Sequence, residues 1–181
     1  MDFDILIVNG RVVVGSENPW FKADVGITGY CINAIWKLNG SGVTMIIDAE
    51  GLVVAPGFID IHGHSSYSVL IDPRVESKVR QGVTTEVSGN CGTSPAPMNR
   101  AVREYRQRFM RARLPQAFDL NWETMGEYLD RIDERGVAFN VVPLVGQGSV
   151  RQNVMGFENR QPTKGELEEM RVLMAGALRD G

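Results

Sequence analysis

Hydrophobic residues in the first third of the chain fall in short runs separated by turn residues. Runs at 5–8 and 11–14 flank Asn9-Gly10, a dipeptide typical of a two-residue hairpin turn. Runs at 24–28 and 31–38 predict a second hairpin, and runs at 43–48 and 52–54 predict a third. This pattern predicts a small all-β domain over residues 1–56.

After Pro56-Gly57 the pattern alternates between strands and helices. Apolar runs at 58–61, 84–87 and 137–144 predict three strands. Strands that alternate with helices are typical of a parallel sheet with right-handed crossovers, as in an α/β barrel. A second domain is therefore predicted over residues 57–181.

Capping residues predict where the helices of this second domain begin. Asp72 and Pro73 predict a helix that stops before Gly82, and Asn121 predicts one that stops at Gly136. Thr163, with a glutamate three residues later, forms a capping box that starts the last predicted helix.

The composition is that of an ordinary soluble globular protein. The chain has 181 residues, 43% of them hydrophobic and 23% charged, with a net charge of −3. An acidic balance argues against a nucleic-acid or membrane-surface protein, and no apolar run approaches the length of a membrane span. The N-terminus lacks the positive region of a signal peptide, so a cytoplasmic location is expected.

Two cysteines are too few for a disulfide framework, which agrees with a reducing compartment. Cys31 lies in a predicted strand and is expected to be a small buried hydrophobic residue. Cys91 follows the second predicted strand of residues 57–181 in a loop of Gly, Ser and Pro. It is interpreted as a metal ligand or a thiol near the site, with an inert thiol as the alternative.

One segment is rich in arginine. Six arginines fall between Arg100 and Arg113, with Glu104 as the only acid among them. Basic helices can bind nucleic acid, but the chain is acidic overall and carries no recognition motif. The segment is predicted to be a surface flap or helix.

The two histidines of the chain, His62 and His64, stand one residue apart at the end of the first predicted strand after Pro56. Residues i and i+2 of a strand point to the same face, so both imidazoles are expected to project together. Active sites of α/β folds lie at the carboxyl ends of the strands, where Cys91 is also expected. Such a cluster suits one divalent metal ion, most often zinc. Two ordinary hydrogen-bonded histidines near a turn are the alternative.

Gly146 and Gly148 flank Gln147 after the third predicted strand. They indicate backbone packed close to substrate or to a neighbouring loop, or else a plain glycine-rich turn.

Three stretches carry a resemblance to a known family. They are APGFIDIHGH, DPRVESKVRQGVTTEVSGNCGTSPAP and LVGQGSVRQNVMG. The first resembles the signature of the amidohydrolase superfamily, and the other two resemble its N-acyl-D-amino-acid deacylases (D-aminoacylases). The resemblance spans nearly the whole chain.

The resemblance implies a small β-sandwich, built from both chain ends, beside a metal-bearing (β/α)8 barrel. The expected fold class is therefore α/β: the first three βα units of a partial barrel, preceded by a small all-β sandwich portion. His62, His64 and Cys91 match metal ligands of the family, which implies one or two Zn2+ ions. The implied reaction is hydrolysis of the amide bond of a small-molecule N-acyl-D-amino acid.

The family's remaining residues are expected elsewhere. Its general-base aspartate and two further histidines belong to later strands, beyond Gly181. The 181-residue chain alone is therefore expected to be inactive without the missing C-terminal part or another chain.

Two positions depart from the family pattern. Ser66 stands where many relatives carry an acid, which puts the tuning of the metal ligands in doubt. Gln147 replaces a histidine common between the two glycines, and an amide cannot shuttle a proton near neutral pH.

Two other functions share part of the pattern. Cyclic-amide hydrolases of the dihydroorotase or hydantoinase kind share the paired histidines but typically lack the Cys91 motif. A non-catalytic amidohydrolase-like assembly module is a third interpretation, although such paralogues usually lose the histidine pair.

Overall fold

A computed structural model describes residues 2–40, 42–113 and 118–181 of the chain. The chain forms two compact units, Met1–Pro56 and Gly57–Gly181. Among the described residues, no helix is both long and apolar enough to cross a membrane.

The first unit is a five-stranded sheet. Its strands follow the order β3-β2-β1-β4, and β5 also pairs with β1. The strands are β1 (Ile5–Val12), β2 (Phe21–Thr28), β3 (Cys31–Trp36), β4 (Met45–Asp48) and β5 (Val53–Val54). The second predicted hairpin is confirmed, because β2 and β3 pair antiparallel around Gly29-Tyr30. Cys31 is exposed at the start of β3, so the prediction that it is buried was wrong.

The first and third hairpin predictions were wrong. At the first, the chain does not turn back at Asn9-Gly10. Asn9 has a positive φ of 62° and forms a bulge within the continuous strand β1. Its backbone N–H donates to Asp24 Oδ1, which anchors the bulge. Strands β4 and β5 both run parallel to β1 and do not pair with each other.

The second unit contains a three-stranded parallel sheet in the order β6-β7-β8, as the alternating pattern predicted. Its strands are β6 (Phe58–Asp60), β7 (Val83–Ser88) and β8 (Asn140–Pro143). Its helices are α1 (Ser68–Ile71), α2 (Glu76–Val79), α3 (Arg100–Arg113), α4 (Met125–Arg135), α5 (Gln147–Met155) and α6 (Lys164–Asp180). The main hydrophobic core centres on Trp122 and Tyr128 and packs against Val141 of β8.

Two helix starts differ from the prediction, and both involve a short polar side chain. Asp72 ends α1 and accepts a hydrogen bond from the backbone N–H of Arg74, so it does not cap a helix at Pro73. Thr124, not Asn121, caps α4. Asn121 instead accepts a hydrogen bond from Arg131. Thr163 caps α6 through the predicted capping box.

The two faces of the parallel sheet differ. Val141 faces the helices and the core. The register pairs Asp60 with Glu86 and Glu86 with Val141, so these three residues share that face. The residues next to them along the chain point to the opposite side. The apolar side chains there are exposed, at 61% for Ile59, 74% for Ile61 and 46% for Val142. One face of this sheet is thus an uncovered apolar surface.

The arginine-rich segment is the helix α3, and most of its arginines are exposed, as predicted. Arg106 is the exception, since it is only 8% exposed.

Candidate metal centre

His62, His64 and Cys91 come together beyond the carboxyl ends of β6 and β7. Cys91 Sγ lies 3.4 Å from His62 Nε2 and 3.9 Å from His64 Nε2. The ligand atoms of the three side chains all lie within 4.8 Å of one another. All three residues are exposed, so a metal ion and a substrate can reach them.

The loop that carries Cys91 depends on residues with positive φ. Gly89 has φ +83°, and a Cβ built on it would lie 2.4 Å from the carbonyl oxygen of Leu144. Cys91 itself has φ 56°, a conformation uncommon for a residue with a side chain. The two histidines lie in the loop of residues 61–67, between β6 and α1, which is called the histidine loop. Asn90 holds the Cys91 loop against it, because its side-chain amide donates to the carbonyl oxygen of Gly63 and also to that of Val87 in β7.

The glycines around Gln147 make room for this loop. A Cβ on Gly146 would lie 2.5 Å from the carbonyl of Gly92, and one on Gly148 would lie 2.7 Å from the same oxygen. Ser149 N–H donates to Gly92 O at 3.1 Å. Of the interpretations that the sequence left open, close packing against a neighbouring loop is the one observed. Gln147 is exposed as the first residue of α5.

A partly buried ion network holds the histidine loop. Lys78 Nζ donates to Asp60 Oδ2 at 2.7 Å and to Glu86 Oε2 at 2.5 Å. Asp60 Oδ1 accepts from the His62 backbone N–H, and Glu86 Oε1 accepts from the Ser65 backbone N–H. The network therefore fixes the backbone on both sides of the two histidines.

The charges in this network stabilise one another. The hydrogen bond from Lys78, followed by the one from the His62 N–H, holds the pKa of Asp60 below its usual value. Burial alone would lower the pKa of Lys78, but hydrogen bonds to Asp60 and Glu86 outweigh it and raise that pKa. Glu86 is only 1% exposed, and Gly63 is required above it because a Cβ there would lie 2.1 Å from its carboxylate.

The sequence analysis did not identify this network. The one feature of the sequence that could have indicated it is Glu86 in Thr84-Thr85-Glu86-Val87. A charged residue in an otherwise buried strand needs a partner of opposite charge. Ser66 is buried, and its carbonyl oxygen accepts a hydrogen bond from Tyr128.

The donor set fits a zinc ion. A thiolate and two imidazoles are ligands that zinc prefers. No Asp or Glu joins the cluster in the part of the chain that the structure describes.

Known proteins share both the sequence and the fold of this chain. The profile of the amidohydrolase family matches residues 45–180. A D-aminoacylase of Alcaligenes xylosoxydans xylosoxydans is 36% identical over 99% of this chain. The match covers 36% of that relative, so the chain spans about a third of its length.

Two solved structures show the same α/β fold. A D-aminoacylase whose structure is described as having a binuclear metal center superposes with a TM-score of 0.84 and 34% identity. An N-acyl-D-glutamate deacylase from Bordetella bronchiseptica, in complex with zinc and a phosphonate inhibitor, superposes with a TM-score of 0.86 and 30% identity. Both matches cover 99% of this chain and 37% of the solved chain. The chain therefore belongs to the amidohydrolase family, with the N-acyl-D-amino-acid deacylases among its relatives.

Proposed function

We propose that this chain is part of a zinc-dependent hydrolase that cleaves the amide bond of N-acyl-D-amino acids. The observation that carries the proposal is the convergence of His62, His64 and Cys91, whose ligand atoms lie within 4.8 Å of one another. The relatives that act on N-acyl-D-amino acids support the substrate class.

In this proposal the three side chains hold the metal, and the network beneath them fixes their positions. A zinc ion bound there would lower the pKa of a bound water to about 7 and polarise the scissile carbonyl. The N–H groups of His62 and Ser65 are held by Asp60 and Glu86, so the histidine loop needs little rearrangement to bind the ion. A general base from a later strand of the whole protein would accept and return the proton.

The proposed architecture is the first part of a (β/α)8 barrel, over residues 57–181, preceded by part of a β-sandwich over residues 1–56. Two features support the barrel. The sheet β6-β7-β8 is parallel, and its metal-ligand candidates follow the carboxyl ends of two adjacent strands. The uncovered apolar face with Ile59, Ile61 and Val142 matches the inner surface of a barrel, where side chains from all strands pack together.

Both cysteines are free thiols, which supports the proposed cytoplasmic location. The proposed partner is the small-molecule substrate, with no nucleic acid or membrane.

Metal binding by the 181-residue chain tests the site. We expect the chain to bind zinc, and cobalt bound in its place to show a thiolate-to-metal charge-transfer band. His62→Ala and Cys91→Ser should each weaken binding at least about tenfold, and Cys91→Ser should abolish the band. Cys31→Ser is the matched control, because Cys31 is the other exposed free thiol and lies in the first unit.

Hydrolysis by the whole protein tests the substrate. N-acetyl-D-amino acids should be cleaved in preference to their L-enantiomers and to cyclic amides. Turnover of a hydantoin or dihydroorotate instead would favour the cyclic-amide hydrolases. Equal zinc content in wild type, His62→Ala and Cys91→Ser would rule out the proposed metal site and favour the non-catalytic module.

A further inference from the structure

A cavity of about 510 Å3 opens beside His64 in the second unit. Residues of α3 and α5 line it, together with Tyr67. His64 is also one of its lining residues, so a molecule bound at the metal site can reach this cavity.

The cavity has an unusual charge balance. Its lining includes Arg106 and Arg113 and contains no Asp or Glu. Arg113 lies 3.9 Å from the centroid of the Phe109 ring and forms no ion pair within the described residues. The two arginines are therefore the only side chains among the described residues of the lining that carry a full charge at neutral pH, and both charges are positive.

Arg106 is a buried cation without an acidic partner. It is only 8% exposed, and its hydrogen-bond acceptors are all neutral. They are Ser94 O at 2.6 Å, Ser149 Oγ at 2.8 Å, Tyr67 Oη at 3.0 Å and Gln152 Oε1 at 3.3 Å. Buried charges are normally neutralised by an opposite charge, and here none lies among the described residues.

Two groups that line the cavity can donate a hydrogen bond to an anion. Tyr67 Oη accepts a hydrogen bond from Arg106, and no acceptor for its own proton lies within the described ranges. Burial raises the pKa of Tyr67, so the phenol stays protonated and can donate. The bond from Arg106 to Gln152, at 3.3 Å, is the longest of the four and the easiest to exchange for a carboxylate oxygen.

The rest of the lining suits a carbon chain. Tyr105, Phe109 and Met110 present apolar surface from α3 to the cavity. The four hydrogen bonds of Arg106 attach α3 to the start of α5 and to the loop after β7, so the cavity is formed before any ligand binds.

We propose that this cavity binds a carboxylate of the substrate, held by Arg106, Tyr67 and Arg113. The inference rests on the proposed function, since it takes the bound molecule to be an N-acyl amino acid. The carboxylate has two possible sources: the α-carboxylate of the amino acid, or a terminal carboxylate on the acyl group.

Titration calorimetry on the metal-free 181-residue chain, kept free of zinc by a chelator, tests the proposal. The probes are N-acetyl-D-alanine, which carries only the α-carboxylate, and succinamic acid, which carries the carboxylate at the acyl end. The neutral control is the methyl ester of N-acetyl-D-alanine. At least one acid should bind about tenfold or more tightly than the ester, and the tighter acid identifies the source.

Variants locate the binding. Arg113→Gln and Tyr67→Phe should each weaken binding of the tighter acid by about tenfold. Arg108→Gln is the matched control, because Arg108 is exposed on the same helix and does not line the cavity. Circular dichroism of each variant checks that the fold is kept.

Three results would overturn the proposal: the ester binding as tightly as the acids, neither acid binding, or affinity unchanged in both Arg113→Gln and Tyr67→Phe. If zinc binds through His62, His64 and Cys91 but neither acid binds, the cavity assignment fails and the proposed function stands. If an acid binds but zinc does not, the proposed function fails.

Discussion

Lys78 Nζ donates a hydrogen bond across 2.5 Å to the buried carboxylate of Glu86. The other oxygen of that carboxylate accepts from the Ser65 backbone N–H, directly after His64. The ion pair of Lys78 and Glu86 is thereby connected to the backbone of the histidine loop.

Replacing Glu86 with glutamine should lower both stability and zinc affinity. The variant keeps the shape of the side chain but leaves Lys78 with only Asp60 as a charged partner. We expect the free energy of unfolding to fall by about 1–3 kcal/mol, because a buried charged hydrogen bond is lost. Zinc affinity should fall by about 10- to 100-fold, since groups that orient metal ligands typically have effects of this size.

Urea denaturation and zinc titration measure the two effects. Glu76→Gln is the control, because Glu76 pairs with Arg74 and Arg80 at the surface. It should change stability by less than about 1 kcal/mol and leave zinc affinity unchanged. Unchanged zinc affinity in Glu86→Gln would show that the network does not position the histidines.

Gly146→Ala should disturb the Cys91 loop without touching Cys91. The new Cβ would lie 2.5 Å from the backbone carbonyl of Gly92, and backbone cannot yield as a flexible side chain can. We expect a loss of about 1–3 kcal/mol in stability and weaker zinc binding.

The control for this substitution is Gly176→Ala in α6, where the new Cβ meets no atom within 4 Å. It should stabilise the chain by up to about 1 kcal/mol, since alanine favours a helix more than glycine does. If Gly146→Ala leaves the midpoint of denaturation unchanged, close packing at Gly146 does not constrain the loop.

Arg106→Met should loosen α3. The substitution keeps an apolar stem but removes the four hydrogen bonds to the loop after β7, to Tyr67 and to α5. Ser94 O and Ser149 Oγ keep other hydrogen bonds, whereas Tyr67 Oη and Gln152 Oε1 each lose a charged donor. At about 1–2 kcal/mol for each lost bond, a total loss of about 2–4 kcal/mol is expected. Thermal denaturation measures it, with Arg108→Met as the exposed control. A loss no larger than that of the control would contradict the anchoring role.

Lowering the pH should reduce the stability of the first unit, because Asp24 becomes protonated. Burial alone would raise the pKa of Asp24, but hydrogen bonds from the backbone N–H groups of Leu38 and Asn9 and from Lys37 outweigh it, and the pKa is lowered. A carboxyl with a lowered folded pKa contributes stability above its unfolded pKa of about 3.9 and loses it as pH falls through the folded value.

We therefore expect the free energy of unfolding of the first unit to drop as the pH is lowered below about 4. Trp20 and Trp36 lie in this unit, so tryptophan fluorescence in a Trp122→Phe background reports its unfolding. Asp24→Asn should be less stable near neutral pH and lose less on acidification. An equal drop in the variant would exclude Asp24 as the cause.

The sequence predicted the features that depend on local pattern. The parallel sheet, the capping box at Thr163 and the positions of His62, His64 and Cys91 after strand ends all follow from periodicity and short motifs. The membership of the amidohydrolase family was also recognised from three short stretches.

The missed features depend on contacts between distant residues. Asn9-Gly10 has the residues of a hairpin turn, but hydrogen bonds to Asp24 and Asp48 hold it as a bulge within a strand. Arg106 could not be told from the exposed arginines of α3, because the acceptors that bury it come from other elements. Long-range partners of this kind leave no local pattern.

The close approach of the loop after β7 to the start of α5 allows the opening of this loop to be measured by amide exchange. Ser149 N–H donates to Gly92 O, and Gly146 N–H donates to Ser94 Oγ. Those two amide protons are protected from exchange with deuterated solvent while these hydrogen bonds persist, and separation of the Cys91 loop from α5 exposes both. The exchange rates at Gly146 and Ser149, which do not bind the metal, therefore measure how often the Cys91 loop opens. Zinc binding should slow this exchange.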